Sequence, residues 1–568
     1  MAQTKTPWLS NYGQVPFHLE YPQGSMFDAV ARIRERYPQY IAYDFMGGSA
    51  TYEKFVDQVE TCAKALSALG VAKDSFVTVC MPNCPQTLIL FYAINRIGAV
   101  ASMIHPLSAQ NEIAFYLKET GSTVAITLDQ FYYKFEAIRD QAELDHLIIA
   151  SIKDYLPQPL KTGYLLTEGR KIKKLPPDAP VVYWKDLMKM ARGVTGDYAV
   201  AKSADDLAVI LFSGGTTGVS KGIMLSNGNF NALARQIVAT NPIFAPGDKM
   251  LAAMPMFHGF GLGVSVHSML ANGGRCVLVP RFTPESYAKL LLKHRCNFIA
   301  GVPTLFEALL RQKVMVEGDL SCLKGVFSGG DSLSVELKKR FDRFLADHKA
   351  NICVREGYGT TECVTASCLT PLHLSKEGSI GQPFPDTYYK IVAVGTTDEV
   401  PYGTDGEICL TGPSMMLGYL NHPQETADTM KLHDDGRTWV HTGDLGSMDE
   451  EGFVYFKQRI KRMIITSGYN VYPSQLENVL DAHELVQMSC VIGVPDPLKM
   501  QKIKAFIMLK PGVAPSDAVK QQLMEYCRQN MARYALPYDI EFRDQLPKTL
   551  VGKVAYRQLE EEELAKHA

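Results

Sequence analysis

Between Phe76 and Met103 the chain reads strand, helix, strand, and this alternation restricts its fold more than any other feature. Phe76–Cys80 is a short apolar run rich in β-branched residues. Asn83 can cap a helix that carries Pro85 in its first turn and runs to Ile97, before Gly98. Ala99–Met103 is the next strand. Two strands joined through a helix cannot form a tight hairpin, so they lie parallel in one sheet. Ahead of this unit, Tyr52–Leu69 places Val56, Val59, Ala63 and Leu66 on one helical face and ends at Gly70. The alternation returns downstream. Thr283 caps a helix through His294, Asn297–Ala300 is a strand, and a helix follows Pro303. Gly325–Ser328, Ser334–Ala346 and Ile352–Glu356 then read as strand, helix and strand. Two doubly wound α/β sheets are predicted.

At 568 residues the chain exceeds what one core supports, so two or more domains are expected. After Gly381 the texture changes. Lys390–Val394, Gly406–Leu410, Trp439–Thr442 and Phe453–Phe456 are short strands separated by turn residues such as Asp405-Gly406, as in a small antiparallel sheet or barrel. It changes again near Arg459–Lys461, read as a boundary between a large domain, 1–459, and a smaller mobile α/β domain, 460–568. In the latter, Ser474-Gln475-Leu476-Glu477 is a capping box, followed by strands Cys490–Val494 and Ile503–Leu509 and a helix near Ser516–Gln529. Asp154–Asp186, rich in Lys and Pro, reads as a long surface loop.

A net charge of −2 without blocks of like charge argues against a nucleic-acid partner. Twelve scattered cysteines include no C-x-x-C pair, so neither a zinc ribbon nor a redox pair is indicated, and reduced cytosolic thiols are expected. The first 26 residues lack an apolar core, so no signal peptide is read. Phe76–Asn95 and Met250–Gly274 are too interrupted by Pro, Gly, Asn or His for spanning helices, which leaves a cytoplasmic location with peripheral membrane contact open.

Between the apolar runs Leu207–Phe212 and Ile223–Leu225 lies Ser213-Gly214-Gly215-Thr216-Thr217-Gly218-Val219-Ser220-Lys221-Gly222. Glycines let successive N–H groups turn inward as a nest for anionic oxygens, and hydroxyls and a lysine add donors and charge. The spacing is not that of a Walker loop, because Val219 and Ser220 separate Gly218 from Lys221 and a helix starts only near Asn229. A phosphate-holding loop between two strands fits best, with a plain surface turn as the alternative.

Further motifs follow in order: His258-Gly259-Phe260-Gly261, Tyr358-Gly359-Thr360-Thr361-Glu362, Thr442-Gly443-Asp444, Arg459 with Lys461, and Pro547-Lys548-Thr549-Leu550-Val551-Gly552-Lys553. With the glycine-rich loop they resemble the adenylate-forming superfamily of acyl-CoA synthetases, adenylation domains and luciferase-like enzymes, over roughly Met26 to Arg557. Ser467–Pro473 and Gly301-Val302-Pro303-Thr304 are most similar to fatty acyl-CoA synthetases.

The resemblance implies a role for each residue. Ser213, Gly214, Gly215, Thr216, Thr217, Gly218 and Lys221 would cradle the β- and γ-phosphates of ATP. Glu362 would ligate Mg2+, and Thr361 would bond the α-phosphate. Gly357, Tyr358 and Gly359 would meet the nucleotide, Tyr358 stacking on adenine, although a core tyrosine is the competing reading. Gly301, Val302, Gly329, Gly330 and Asp331 map to the pocket wall and adenine-side loop. Asp444 and Arg459 would hold the ribose. His258 would sit by the substrate carboxylate, whereas His267 and His294 read as core histidines. Lys553 would be the adenylation lysine, Lys461 the hinge, and Gly468 a border of the pantetheine channel. Three positions depart from the family pattern: Gln458 where Asp is common, Ser220 where Pro is common, and Gly214 where Ser is common.

The function so implied is an ATP-dependent acid–thiol ligase that activates a medium- or long-chain fatty acid as acyl-AMP and then forms acyl-CoA, as a monomer or homodimer. The alternatives are an aryl or other bulky acid as substrate, a separate carrier protein as acceptor, and a nucleotide sensor without turnover. Retention of Glu362, Asp444, Arg459 and Lys553 argues against the sensor.

Overall fold

The structure is a computed structural model that describes residues 5–212, 220–466, 469–549 and 552–567. Two large sheets form its centre. In the first, Leu207–Phe212, Val100–Met103, Phe76–Cys80, Val124–Leu128, His146–Ala150 and Val182–Tyr183 run parallel in that order. Gly222–Ser226 pairs antiparallel with Leu207–Phe212, so the glycine-rich segment joins two strands, as the sequence predicts. In the second sheet Val354–Tyr358, Gly325–Ser328, Phe298–Gly301, Lys249–Ala252, Arg275–Leu278 and Ile41–Phe45 run parallel, with antiparallel strands at both edges.

Between the sheets, helices Tyr52–Ala68, Pro85–Arg96 and Asn227–Ala239 contribute to one continuous core. Eleven residues of Pro85–Arg96 are buried, all except Arg96, because the helix is covered on every side. Asn83 does not cap it. Cys84 is the N-cap, and the Asn83 amide instead donates to the Ala252 and Met254 carbonyls and accepts from Met256 N–H. A buried amide with three backbone partners is worth more as a tie between the sheets than as a cap. The following helix starts at Asn227, two residues before the sequence suggests, because Ser226 forms a reciprocal cap with Asn229.

The third sheet is antiparallel: Tyr388–Val392, Gly406–Thr411, Thr438–Met448 and Met430–Leu432, with Val454–Arg459 on Thr438–Met448. The fourth sheet, Tyr469–Val471, Ile464–Thr466, Met500–Leu509, Val486–Asp496 and Asp539–Phe542, has a separate core that includes Leu480, Val491, Ile507 and Leu523. The capping box read at Ser474 does not form. Its helix is Pro473–Asp481, the Ser474 hydroxyl bonds the Lys457 carbonyl, and Glu477 pairs with Arg462 instead. Tertiary partners outcompete the local motif. Asp154–Asp186 is also less irregular than a loop, with a helix at Leu160–Leu166 and a second starting at Trp184, which is buried. All twelve cysteines are free thiols. Among the described residues, no helix is long and apolar enough to cross a membrane.

Candidate active site

The site gathers where the C-terminal ends of the second sheet's strands meet the antiparallel sheet, with one loop from the fourth. This is where open α/β sheets place ligands. Val354–Tyr358 ends in Gly357 and Tyr358; Gly359 follows and leads into the turn Thr361–Cys363. Val364 and Thr365 then adopt left-handed backbone, with φ of 51° and 74°. Such conformations are costly for β-branched residues and persist only where the surroundings fix them. Here Thr365 N–H bonds the Thr360 carbonyl at 2.8 Å, and Gly359 lies so close to the Thr365 carbonyl that no larger residue fits.

Asp444 is buried within the strand Thr438–Met448, just after Gly443, whose φ is +69°. The Tyr358 hydroxyl donates to its Oδ2 at 2.5 Å, and Arg459 Nε lies 2.9 Å from its Oδ1. Asp444 and Arg459 are partners in strand register, which explains how residues 15 positions apart meet. Burial pushes the Asp444 carboxyl up, while the Arg459 guanidinium and the tyrosine hydroxyl pull it back. Burial works to lower the pKa of Arg459 as well, but Asp444 holds it above its ordinary value. Tyr358 is pushed far up by burial and by the Asp444 charge, so it stays a neutral donor. Gln458, which precedes Arg459, is buried with both amide atoms unpartnered among the described residues. The half-exposed Arg459 guanidinium also reaches the Thr442 carbonyl at 2.9 Å.

Glu362 accepts from the Tyr419 hydroxyl at 2.8 Å, and Lys221 Nζ lies 5.0 Å from the centre of the same ring. One carboxylate, with the Thr361 turn hydroxyl next to it in the chain, is the kind of oxygen donor set Mg2+ takes when phosphate oxygens and water complete its shell. Tyr419 was not legible as part of the site. It lies on the two-residue strand Gly418–Tyr419, and no local signal marks it.

Lys553 arrives on a tight turn closed by Lys548 and Val554, in which its own N–H bonds the Thr549 hydroxyl at 3.1 Å. The turn docks on the large domain through the Thr304 hydroxyl, which donates to the Gly552 carbonyl at 2.9 Å. The Lys553 chain lies flat over Gly330: a Cβ there would sit 3.5 Å from Lys553 Cε. That distance is ordinary contact, so it is the φ of +82° that favours glycine at Gly330. Burial pushes the Lys553 amine below its ordinary value, opposed by Asp331. Asp331 itself is exposed, its carboxylate turned to Ser332 N–H.

His258 precedes a π-helical segment, Phe260–His267, that begins with Phe260 N–H donating to His258 Nδ1 at 3.2 Å. Gly261 is required there, since a Cβ would fall 2.1 Å from the Pro255 carbonyl. Burial, with Lys553 adding to it, lowers the His258 pKa to about 3, so the ring is neutral at working pH. His267 is a core histidine, bonded to Tyr92 and Asn231. His294 is not; it is half-buried at a helix end.

Behind Gly329 and Gly330 opens an apolar pocket whose walls include Phe260, Val264, Phe298 and Phe327. Gly301 and Val302, expected on its wall, stand one layer away: Gly301 accepts from Gly329 N–H, and Val302 lies against Gly330 and Gly552. Lys461 is exposed in the short turn Ile460–Arg462 that follows Arg459. Ser213, Gly214, Gly215, Thr216, Thr217, Gly218 and Gly468 lie outside the described residues.

A family model of AMP-binding enzymes matches residues 30–420, and one of the AMP-binding enzyme C-terminal domain matches residues 475–553. The chain belongs to the AMP-binding enzyme family. A long-chain-fatty-acid–CoA ligase of Bacillus subtilis is 34% identical, over 100% of this chain and 99% of its own. One of Escherichia coli O6:H1 is 32% identical over 98% of each chain. Among solved structures, ATP-bound MatB from Rhodopseudomonas palustris matches this AMP-binding enzyme with a TM-score of 0.81 at 25% identity, over 94% of this chain and 98% of that one. The two-domain α/β architecture is therefore that of the family.

Proposed function

We propose that the protein is an AMP-forming fatty acid–CoA ligase. One observation carries this reading. Lys553 of the small domain lies over Gly330, between the Tyr358–Asp444–Arg459 cluster and the mouth of an apolar cavity. A cation held where a nucleotide subsite meets an apolar pocket suits the joining of a carboxylate to a phosphate. The full-length relatives named long-chain-fatty-acid–CoA ligases support the choice of acid.

The chemistry has two steps. A carboxylate oxygen attacks the α-phosphorus of ATP, the α–β bridging bond breaks, and pyrophosphate leaves. A thiolate of coenzyme A then attacks the acyl carbonyl, and AMP leaves. The first step joins two anions, so charge neutralisation and positioning are the tasks of the protein. Lys553 would neutralise the carboxylate and α-phosphate, with the Thr361 hydroxyl as a second donor. Asp444 and Arg459 would hold the ribose, and Tyr358, with Gly357 and Gly359, would face adenine. His258, neutral, would border the carboxylate without repelling or trapping a proton. Lys221, with Ser213–Gly218, would receive the β- and γ-phosphates. Glu362 would hold Mg2+, which when bound neutralises phosphate charge.

In this reading 1–459 and 460–568 are the two domains, Lys461 is the hinge, and Gly468 meets pantetheine after rotation. Free thiols suit a reducing, cytoplasmic setting.

Pyrophosphate release measured with a panel of acids, with and without coenzyme A, tests the reading. Release dependent on medium- or long-chain fatty acid, and acyl-CoA on adding the thiol, are expected. Preference for aryl acids, or no thioester with coenzyme A, would replace it.

A further inference from the structure

We propose that Cys409, His433 and His441 form a buried site for a thiophilic divalent cation, Zn2+ being the ion it suits best, on the strand that presents Asp444. The three residues each offer a ligand atom, and these atoms all lie within 4.8 Å of one another. Cys409 and His441 face each other across the paired strands Gly406–Thr411 and Thr438–Met448. His433 comes from the turn that joins Met430–Leu432 to Thr438–Met448 and covers them. All three are buried. Ligands around a tetrahedral zinc stand roughly 3.3–3.6 Å apart, given its usual bond lengths. The facing imidazole nitrogens, Nε2 to Nε2 at 2.9 Å, need to part by roughly half an ångström, and the thiol to swing in by about one.

One further observation points to a ligand. His441 Nδ1 lies 2.9 Å from Glu407 Oε2, the carboxylate–histidine pairing that aims the other ring nitrogen at a metal. With that proton on Nδ1, His441 Nε2 is a lone pair facing the cluster, and His433 Nε2 must donate to it. His433 Nδ1 is then a buried acceptor with no partner among the described residues.

Charge closes around the proposed cation. Binding displaces the Cys409 thiol proton to solvent, and the thiolate and the Glu407 carboxylate together balance the two positive charges. Lys390, opposite Cys409 in register, is itself set 3.4 Å from Asp435 and over the Trp439 ring. The site adjoins the nucleotide cluster: Glu407 Oε1 accepts from Gly443 N–H at 2.9 Å, and Gly443 precedes Asp444. A bound cation would brace that stretch without touching substrate.

The test is a titration of the full-length, chelator-stripped protein with Co2+ alone, in the absence of nucleotide. One equivalent should bind with a thiolate-to-cobalt charge-transfer band, and Zn2+ should displace it. Cys409→Ser should abolish the band, His433→Gln should weaken binding at least tenfold, and Glu407→Gln should weaken it about 10–100-fold. Absence of a stoichiometric band, or a band unchanged in Cys409→Ser, overturns the proposal. If Cys409→Ser fails to fold, unchanged affinity in His433→Gln does the same.

Discussion

The Thr304 hydroxyl donates to the Gly552 carbonyl at 2.9 Å, tying two residues 248 positions apart. It is the contact that sets the Lys553 turn onto the large domain, one residue before the lysine itself. In the proposed reading this is the arrangement for adenylation.

Removing that donor should slow only the first half-reaction. In Thr304→Val, a lost neutral hydrogen bond of about 1 kcal/mol predicts a roughly fivefold fall in pyrophosphate release. Thioester formation from supplied acyl-AMP should be unchanged. A matching fall in both steps would mean that Thr304 serves folding rather than docking.

Lys461→Pro fixes one backbone torsion in the turn Ile460–Arg462. It should impair thioester formation more than adenylation, measured as separate half-reactions. Equal impairment would move the hinge elsewhere.

Much of this was legible in the sequence. The strand–helix alternation dictated parallel sheets, and the two apolar runs around the glycine-rich segment dictated a strand-to-strand connection. The motif residues Gly330, Tyr358, Asp444, Arg459 and Lys553 do converge. Local signals failed where a distant partner offered more. Asn83 bonds three backbone groups at and beyond the end of strand Lys249–Ala252 instead of capping its helix, and Glu477 pairs with Arg462 instead of completing a capping box. Tyr419 and the Cys409–His433–His441 cluster carry no sequence signal, and nothing in the motif that ends at Thr304 names Gly552 as its partner, because register and turns bring these residues together rather than spacing.

Arg459→Met should weaken ATP binding at least tenfold and lower stability by about 1–3 kcal/mol, since the buried Asp444 loses its cation while half of the arginine side chain was already solvated. Nucleotide titration and thermal unfolding check the two effects. Unaltered ATP affinity would remove Arg459 from the nucleotide subsite.

Glu356 predicts a pH effect on stability. Burial raises its pKa from the ordinary 4.5 to about 7. Over that interval the unfolded chain ionises this group while the folded chain keeps it protonated. Its contribution is therefore full below pH about 4.5 and is lost as pH rises through 7, on the order of 3 kcal/mol. Glu356→Gln should remove this decline and be more stable than the parent at pH 8. Unfolding curves with parallel pH dependence in both proteins would contradict the assignment.

The central claim is that Lys553 acts in acyl-AMP formation and not in thioester formation. Measuring the two half-reactions separately in Lys553→Ala tests it most directly. Acyl-AMP formation should fall by about 10²–10³, the usual cost of removing one preorganised charge donor, while supplied acyl-AMP is still converted to acyl-CoA. Equal loss of both half-reactions, or adenylation that survives, would contradict the account.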